Sequence, residues 1–262
     1  MRYLIITAAF VFILMTGLSE GAGRKISQNG NRHNFSFANT SVNFRAVPGG
    51  DVSGYDRSSQ ICVFCHTPHR ASSEGPLWNR GAVTKTFKHF SSVTLAIDDA
   101  ALKSAADYGQ PTGSSRLCLS CHDGITALGA VFTTPSQTTS VPISFFNKKT
   151  GQTGVNVAIG FETFSSHHPV SFKYTQAVRD ILTAPPYSKT EYWWSPPASG
   201  VVKLDRQERM QCTTCHDPHQ DQSDVPDAMT PFWVAKTYEE VCRSCHNLVA
   251  PPPATPPYPW PK

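Results

Sequence analysis

Apolar and polar residues alternate with a regular period in only a few places along the chain. The N-terminus carries an apolar run from Tyr3 to Met15, preceded by Arg2 and followed by small residues up to Gly23. A short apolar run between a cation and small residues is typical of a secretory signal peptide, and this one is too short for a comfortable membrane span. We therefore expect residues 1–23 to be a signal peptide, with a retained N-terminal anchor as the alternative.

Further along, alternating apolar and polar positions predict short strands at residues 155–161 and 170–174. Short helices are predicted at residues 98–107, 115–122 and 175–183, and a capping box at residues 237–240 predicts another that carries Cys242. Residues 24–58 are polar and rich in Gly, Ser and Asn, with Phe35, Phe37 and Phe44 as possible anchors. We expect little to hold the part around His33 against a core. The Pro-rich residues 247–262 predict a polyproline II tail, either a solvated spacer or a strap on a partner subunit.

Cysteine spacing is the strongest chemical signal. The pentad C-x-x-C-H occurs four times, and the pentads use all eight cysteines of the chain. They are Cys62, Cys65 and His66; Cys118, Cys121 and His122; Cys212, Cys215 and His216; Cys242, Cys245 and His246. In a c-type haem site the two thiols form thioethers with the haem and the histidine binds iron from one face. The sequence therefore predicts four covalent c-type haems.

Paired cysteines have two other common uses, zinc binding and disulfide formation. Cys62, Cys65, Cys118 and Cys121 have the residue types of a four-thiolate zinc site, but zinc does not require a histidine after every second cysteine. Four disulfides are a second alternative in an exported protein. Identical local spacings argue against them, because disulfide frameworks usually join distant cysteines.

Composition and charge limit which folds and functions are possible. With 21 prolines and 17 glycines spread along the chain, we expect mostly irregular coil, with short helices and a few short strands wrapped around the haems. About 60 residues serve each haem, so each haem replaces much of an ordinary core. Residues 24–246 form the predicted tetrahaem domain. The formal charge of +4 is outweighed by two propionates on each haem, so it does not indicate nucleic-acid binding.

Each iron needs a second axial ligand unless it is open for chemistry. Six of the ten histidines are not part of a pentad: His33, His69, His89, His167, His168 and His219. This supply is sufficient for two imidazoles on every iron, which favours low reduction potentials.

His69 and His219 occupy the same place in two C-x-x-C-H-x-P-H runs. Each lies on the proximal side of its own haem, so we expect it to ligate a haem attached elsewhere in the chain. For a third ligand we choose His168, whose backbone Pro169 holds extended, and for a fourth His33. His89 and His167 are the reserves.

At this point several motifs carry a family resemblance. The runs CVFCHTPH, PLWNR, CLSCHDG, HHPVSF and CTTCHDPH resemble those of multihaem cytochromes c of metal-reducing bacteria, and most of all the tetrahaem subunits of extracellular cytochrome filaments. The resemblance extends from about His33 to His246. It implies bis-histidine haems stacked in alternating parallel and T-shaped pairs. It also implies head-to-tail polymers in which one axial histidine is lent to the next subunit.

We therefore expect an electron-transfer protein and not an enzyme, because no pentad has the lysine ligand that often marks an open catalytic haem. The expected location is secreted, extracellular or on the outer surface, with the periplasm as alternative. Expected partners are copies of the chain, redox-protein donors and extracellular electron acceptors, with no nucleic acid and no stable membrane insertion. A monomeric periplasmic shuttle remains an alternative.

His33 is the residue that we expect to be supplied to the neighbouring subunit. It precedes the first pentad by 29 residues in a polar segment, and such an arm reaches outward more easily than a histidine between strands. A head-to-tail ligand of this kind generates open fibres. The alternative is that His33 folds back onto the first haem of its own chain.

The haem count gives a direct prediction. The purified mature chain should exceed its polypeptide mass by four haem units in a denaturing mass spectrum, because thioether bonds survive unfolding. A gain of two haem units, or zinc in their place, would contradict the assignment.

Overall fold

The computed structural model describes residues 25–51, 56–69, 71–81, 86–87, 111–131, 141–154, 157–160, 168–174, 200–221 and 232–246. The strands in these ranges are β1 Phe44–Asp51, β2 Asp123–Ala127, β3 Ala130–Val131, β4 Val141–Asn147, β5 Gln152–Gly154, β6 Ala158–Gly160, β7 Phe172–Lys173 and β8 Arg209–Met210. The helices are a 3₁₀ turn at Cys62–Phe64, α1 Gly113–His122, α2 Cys212–Cys215 and α3 Tyr238–Arg243. Within the described ranges no helix has both the length and the apolar character needed to cross a bilayer.

The largest sheet is built on β4. This strand pairs antiparallel with β1 along one edge. Along its other edge it pairs with β3 at residues 141–142 and with β5 at residues 145–147. Ile143 and Phe145 are fully buried, which is the period-two pattern of a strand with one buried face. Two further antiparallel pairs, β2 with β6 and β7 with β8, lie outside this sheet.

A cluster of aromatic and aliphatic side chains anchors the first pentad to the sheet. The rings of Phe35, Phe64 and Phe145 meet edge to face, with centroids 5.5 to 5.7 Å apart. Phe64 lies inside the first pentad, and Val63 joins the same core. The sheet therefore holds the first haem-attachment turn at a fixed place.

The N-terminal segment is packed, and the expectation of a loosely held arm was wrong. Asn31, Asn34 and Asn39 are almost fully buried. The Asn39 amide donates to the carbonyls of Asn31 and Asn34 at 2.9 and 2.8 Å. Local side-chain hydrogen bonds of this kind order a polar segment without an apolar core.

Several predicted elements are confirmed in shortened or extended form. The expected strands at 155–161 and 170–174 correspond to β6 and β7, and the helix expected at 115–122 is α1. Thr237 caps α3 by accepting from the Glu240 N–H at 3.2 Å. The capping box is only half formed, because Glu240 accepts from Lys236 N–H instead. The predictions for residues 1–23, 98–107, 175–183 and 247–262 lie outside the described residues.

Gly129 allows a close contact between the β2–β3 turn and β4. A Cβ atom at this position would lie 1.9 Å from the Ile143 carbonyl oxygen. Gly129→Ala should therefore destabilise the protein by roughly 3 kcal/mol, because strand backbone has to move. Denaturant unfolding followed by tryptophan fluorescence or circular dichroism measures this change.

Gly154→Ala is the matched control, since a Cβ there meets nothing within 4 Å. It should change the free energy of unfolding by less than about 0.5 kcal/mol. Equal effects of the two substitutions would contradict the packing described for Gly129.

Candidate haem-binding sites

Each pentad is held on one tight turn of helix. The histidine N–H donates to the carbonyl of the first cysteine at 2.7 Å for His66, 3.0 Å for His216 and 2.9 Å for His246. The second pentad forms the C-terminal end of α1, which ends at His122 and is followed by Gly124 in the left-handed region. The turn brings both thiols and the imidazole of each pentad close together, as attachment to one haem requires.

The cysteines are available to form thioether bonds with a haem. All eight are free, so the disulfide alternative is not what the structure contains. Burial raises the pKa of Cys65 and of Cys215 to about 12, and that of Cys245 to about 11. Burial therefore favours the uncharged thiol at these three positions.

Three of the four pentad histidines face a second histidine. The ring centres are 6.1 Å apart for His66 and His219, 6.2 Å for His122 and His33, and 6.3 Å for His246 and His168. In each pair the second histidine is one that the sequence nominates as a distal ligand. The two residues of every pair are far apart in sequence, and His66 and His219 belong to the loops of different pentads.

The spacing within the pairs fits one iron between two imidazoles. An imidazole nitrogen binds a metal at about 2 Å and lies about 1 Å from its ring centre, so two rings on opposite sides of one metal have centres about 6 Å apart. Rings in direct contact would stack more closely, as His33 does on Phe232 at 4.4 Å. Haem iron held in this way gains and loses one electron.

The distal rings are also oriented as metal ligands usually are. His33 Nδ1 lies 3.2 Å from the Pro218 carbonyl oxygen, and His168 Nδ1 lies 2.9 Å from that of Pro169. His219 Nδ1 lies 3.5 Å from Asp217 Oδ1. An acceptor beside Nδ1 fixes the tautomer and leaves Nε2 free to bind a metal.

Burial favours the neutral imidazole at His33, His66, His122 and His246. It lowers the pKa of His33, His66 and His246, and it lowers that of His122 to about 4, with the neighbouring His33 and Arg80 acting in the same direction. A neutral imidazole is the metal-binding form, so these rings are ready to bind iron at pH 7.

The other candidate histidines have different surroundings. His216 stacks on Trp233, with ring centres 4.8 Å apart and planes at 20°. His69 is exposed, although its counterpart His219 faces His66. His89 and His167 lie outside the described residues. The structure places His33 against His122 of its own chain, which does not match the expectation that it reaches a neighbour.

Sequence reasoning missed a repeated strap that follows the first and third pentads. His66 forms a backbone bridge with Trp78, and His216 forms one with Trp233. Leu77 and Phe232, the residues before these tryptophans, both have a positive φ, of 57° and 70°.

The hydrogen bonds of the two straps also correspond. Thr67 N–H donates to the Leu77 carbonyl at 2.8 Å, and Asp217 N–H donates to the Phe232 carbonyl at 2.8 Å. The signal was present in the sequence as Pro-apolar-Trp after each C-x-x-C-H-x-P-H run. The chain therefore contains two copies of one local haem-attachment unit.

Attachment sulfurs of successive pentads are neighbours. The thiols of Cys118 and Cys212 share a hydrogen bond, which lowers the pKa of Cys212 to about 7 and raises that of Cys118. After burial, repulsion from Cys121 contributes to the raised pKa of Cys65, and repulsion from Cys245 to that of Cys215. The four attachment sites therefore form a continuous series.

The zinc alternative requires several ligands around one point. Within the described ranges, which include all eight cysteines, no group of three or more His, Cys, Asp or Glu side chains is arranged to hold a metal ion. The histidines are arranged in facing pairs, and this is the arrangement that two axial positions of a haem require.

Comparison with known proteins agrees with this chemistry. A family model described as a doubled CXXCH motif matches residues 206–250, which contain the third and fourth pentads. No curated protein matches the chain. The doubled motif supports a multihaem c-type cytochrome, with covalently bound haem and a function in electron transfer.

Proposed function

We propose that this chain conducts electrons through four bis-histidine c-type haems and converts no substrate. The facing histidine pairs carry the proposal. In His66–His219, His122–His33 and His246–His168, the pentad histidine and a second imidazole are spaced for one iron. An iron with both faces occupied exchanges electrons readily but offers no position for a substrate.

The neighbouring sulfurs support a continuous electron path. The contact of Cys118 with Cys212 brings together the attachment points of the second and third haems. Cys65 and Cys121 pack against one apolar cluster, and Cys215 packs against the cluster that contains Val241, next to Cys242. Haems attached at adjoining sulfurs lie near one another, as electron transfer between them requires.

The proposed setting is outside the cytoplasm, in an extracellular filament of tetrahaem subunits. The N-terminal signal pattern and the resemblance of the motifs to filament cytochromes support it. Electrons would enter from redox-protein donors and leave to extracellular acceptors such as metal oxides. A filament requires an exposed group on one subunit that binds specifically to the next.

His69 is the residue that we propose for this contact, in place of His33. His33 is bound within its own chain, stacked on Phe232 and hydrogen-bonded to Pro218. His69 is exposed, and it occupies the motif position at which His219 faces an iron site. An imidazole bound to an iron of the next subunit would make a head-to-tail joint that does not close into a ring.

His219→Ala tests the ligand pairs. The variant should retain four haems, because the thioethers are unchanged. The haem of His66 should become high-spin or take up an exogenous ligand such as carbon monoxide. Optical and electron paramagnetic resonance spectra of dissociated monomers measure both changes.

His69→Ala is the matched control, because it alters the equivalent position of the first motif. In isolated monomers it should leave the spectrum as in the unaltered protein. A monomer spectrum unchanged by His219→Ala would contradict the proposed pairing of His219 with His66.

The filament proposal is tested with the same His69→Ala variant under assembly conditions. Electron microscopy should show filaments for the unaltered chain and only folded, four-haem monomers for the variant. Filaments of normal length in the variant would refute the role of His69. An unaltered chain that sediments only as a monomer would favour the periplasmic shuttle.

A further inference from the structure

Arg80 is a fully buried cation between the first two pentads. Its guanidinium is 0% exposed. Nε donates to the Ser120 carbonyl at 3.1 Å, and the two terminal nitrogens donate to the carbonyls of Leu128 and Ala127 at 2.7 Å each. Arginine is almost never fully buried unless it is paired with an anion, so its position calls for an explanation.

The groups that accept hydrogen bonds from this guanidinium are neutral. Among the described residues, every hydrogen bond that Arg80 donates goes to a backbone carbonyl. Asp123 is also buried, but its oxygens accept from Ile125 and Thr126 in the turn that begins β2. Carbonyl dipoles solvate the cation without cancelling its charge, so its field persists in the surrounding low-dielectric region.

The strap before Arg80 fixes this charge next to both attachment sites. Asn79 N–H donates to the Cys65 carbonyl at 2.9 Å. Trp78 Nε1 donates to Ser120 Oγ at 3.2 Å, and Ser120 directly precedes Cys121. One segment therefore links the first pentad to the helix that carries the second.

The charge acts on the groups that would hold those two haems. Its Nε donates to the carbonyl of Ser120, which comes directly before Cys121 and His122, and the neighbouring Asn79 N–H donates to the carbonyl of Cys65. The charges at the fourth pentad differ, because Glu239 and Arg243 form an exposed ion pair there. The two ends of the haem series thus lie in different electrostatic surroundings.

We propose that the buried charge of Arg80 raises the reduction potentials of the first two haems. The proposal rests on the proposed function, since it requires haems at these pentads. Reduction adds one negative charge to an iron site, so a fixed cation nearby stabilises the reduced state. Burial shields this interaction from salt, which screens exposed charges much more strongly. Electrons on the chain would then reside preferentially on the first two haems.

Arg80→Gln removes the charge and keeps an amide that can donate to the same carbonyls. In a redox titration of the holoprotein, followed by haem methyl signals assigned to each haem by nuclear magnetic resonance, the first two potentials should fall. The third and fourth should change little. Arg80→Lys keeps the charge and should leave all four close to their original values.

Arg243→Gln is the control for loss of an exposed cation, at a variable position of the fourth pentad. Arg243 is exposed and paired with Glu239, so its removal should have little effect on any potential. Haem count and the low-spin spectrum, measured on the same samples, test the proposed function separately.

Unchanged potentials in Arg80→Gln, or an equal fall at all four haems, would overturn the proposal. If Arg80→Gln does not fold, the reduction potentials of Arg80→Lys test the proposal instead. Retained potentials in Arg80→Lys support a role of the charge. A fall in the first two potentials despite the retained charge would show that Arg80 acts only through packing.

Discussion

Two imidazoles must face each other across about 6 Å for one iron to join them, and the rest of the described structure serves this constraint. His66 and His219 belong to different pentad loops, and His33 comes from the N-terminal segment to face His122. Backbone carbonyls of Pro218 and Pro169 hold two of the distal rings through Nδ1. The fold therefore brings distant parts of the chain to the same site.

This constraint explains why regular structure is sparse. The pentads need only one helical turn each, and straps with a positive φ at Leu77 and Phe232 return the chain past each histidine. The β1–β4 sheet and the ring cluster around Phe64 supply the one sizeable apolar core in the described residues. Elsewhere, buried asparagines and the Arg80 guanidinium bond to backbone carbonyls, which gives order without long elements.

The chemistry could be predicted from sequence because it is local. Pentad spacing identified the haem sites, and counting histidines nominated His33, His168 and His219 before their partners were known. Which histidine meets which pentad depends on long-range packing, and the structure places His33 beside His122 of the second pentad, neither outward towards a neighbour nor at the first pentad. The strand β4 was missed although Ile143 and Phe145 alternate, because a short run with Pro142 resembles a loop. His69 and His219 share a motif and are both exposed. In the described residues His219 lies beside His66 and His69 has no such partner, because this contact depends on tertiary packing.

A structure of the haem-loaded protein, by crystallography or cryo-electron microscopy, tests the central claim most directly. The quantity to measure is the distance from each iron to the nearest imidazole Nε2 on either face. The account predicts irons bound between His66 and His219, between His122 and His33, and between His246 and His168. An iron at any of these three pentads with a different second ligand, or with an open face, would contradict it.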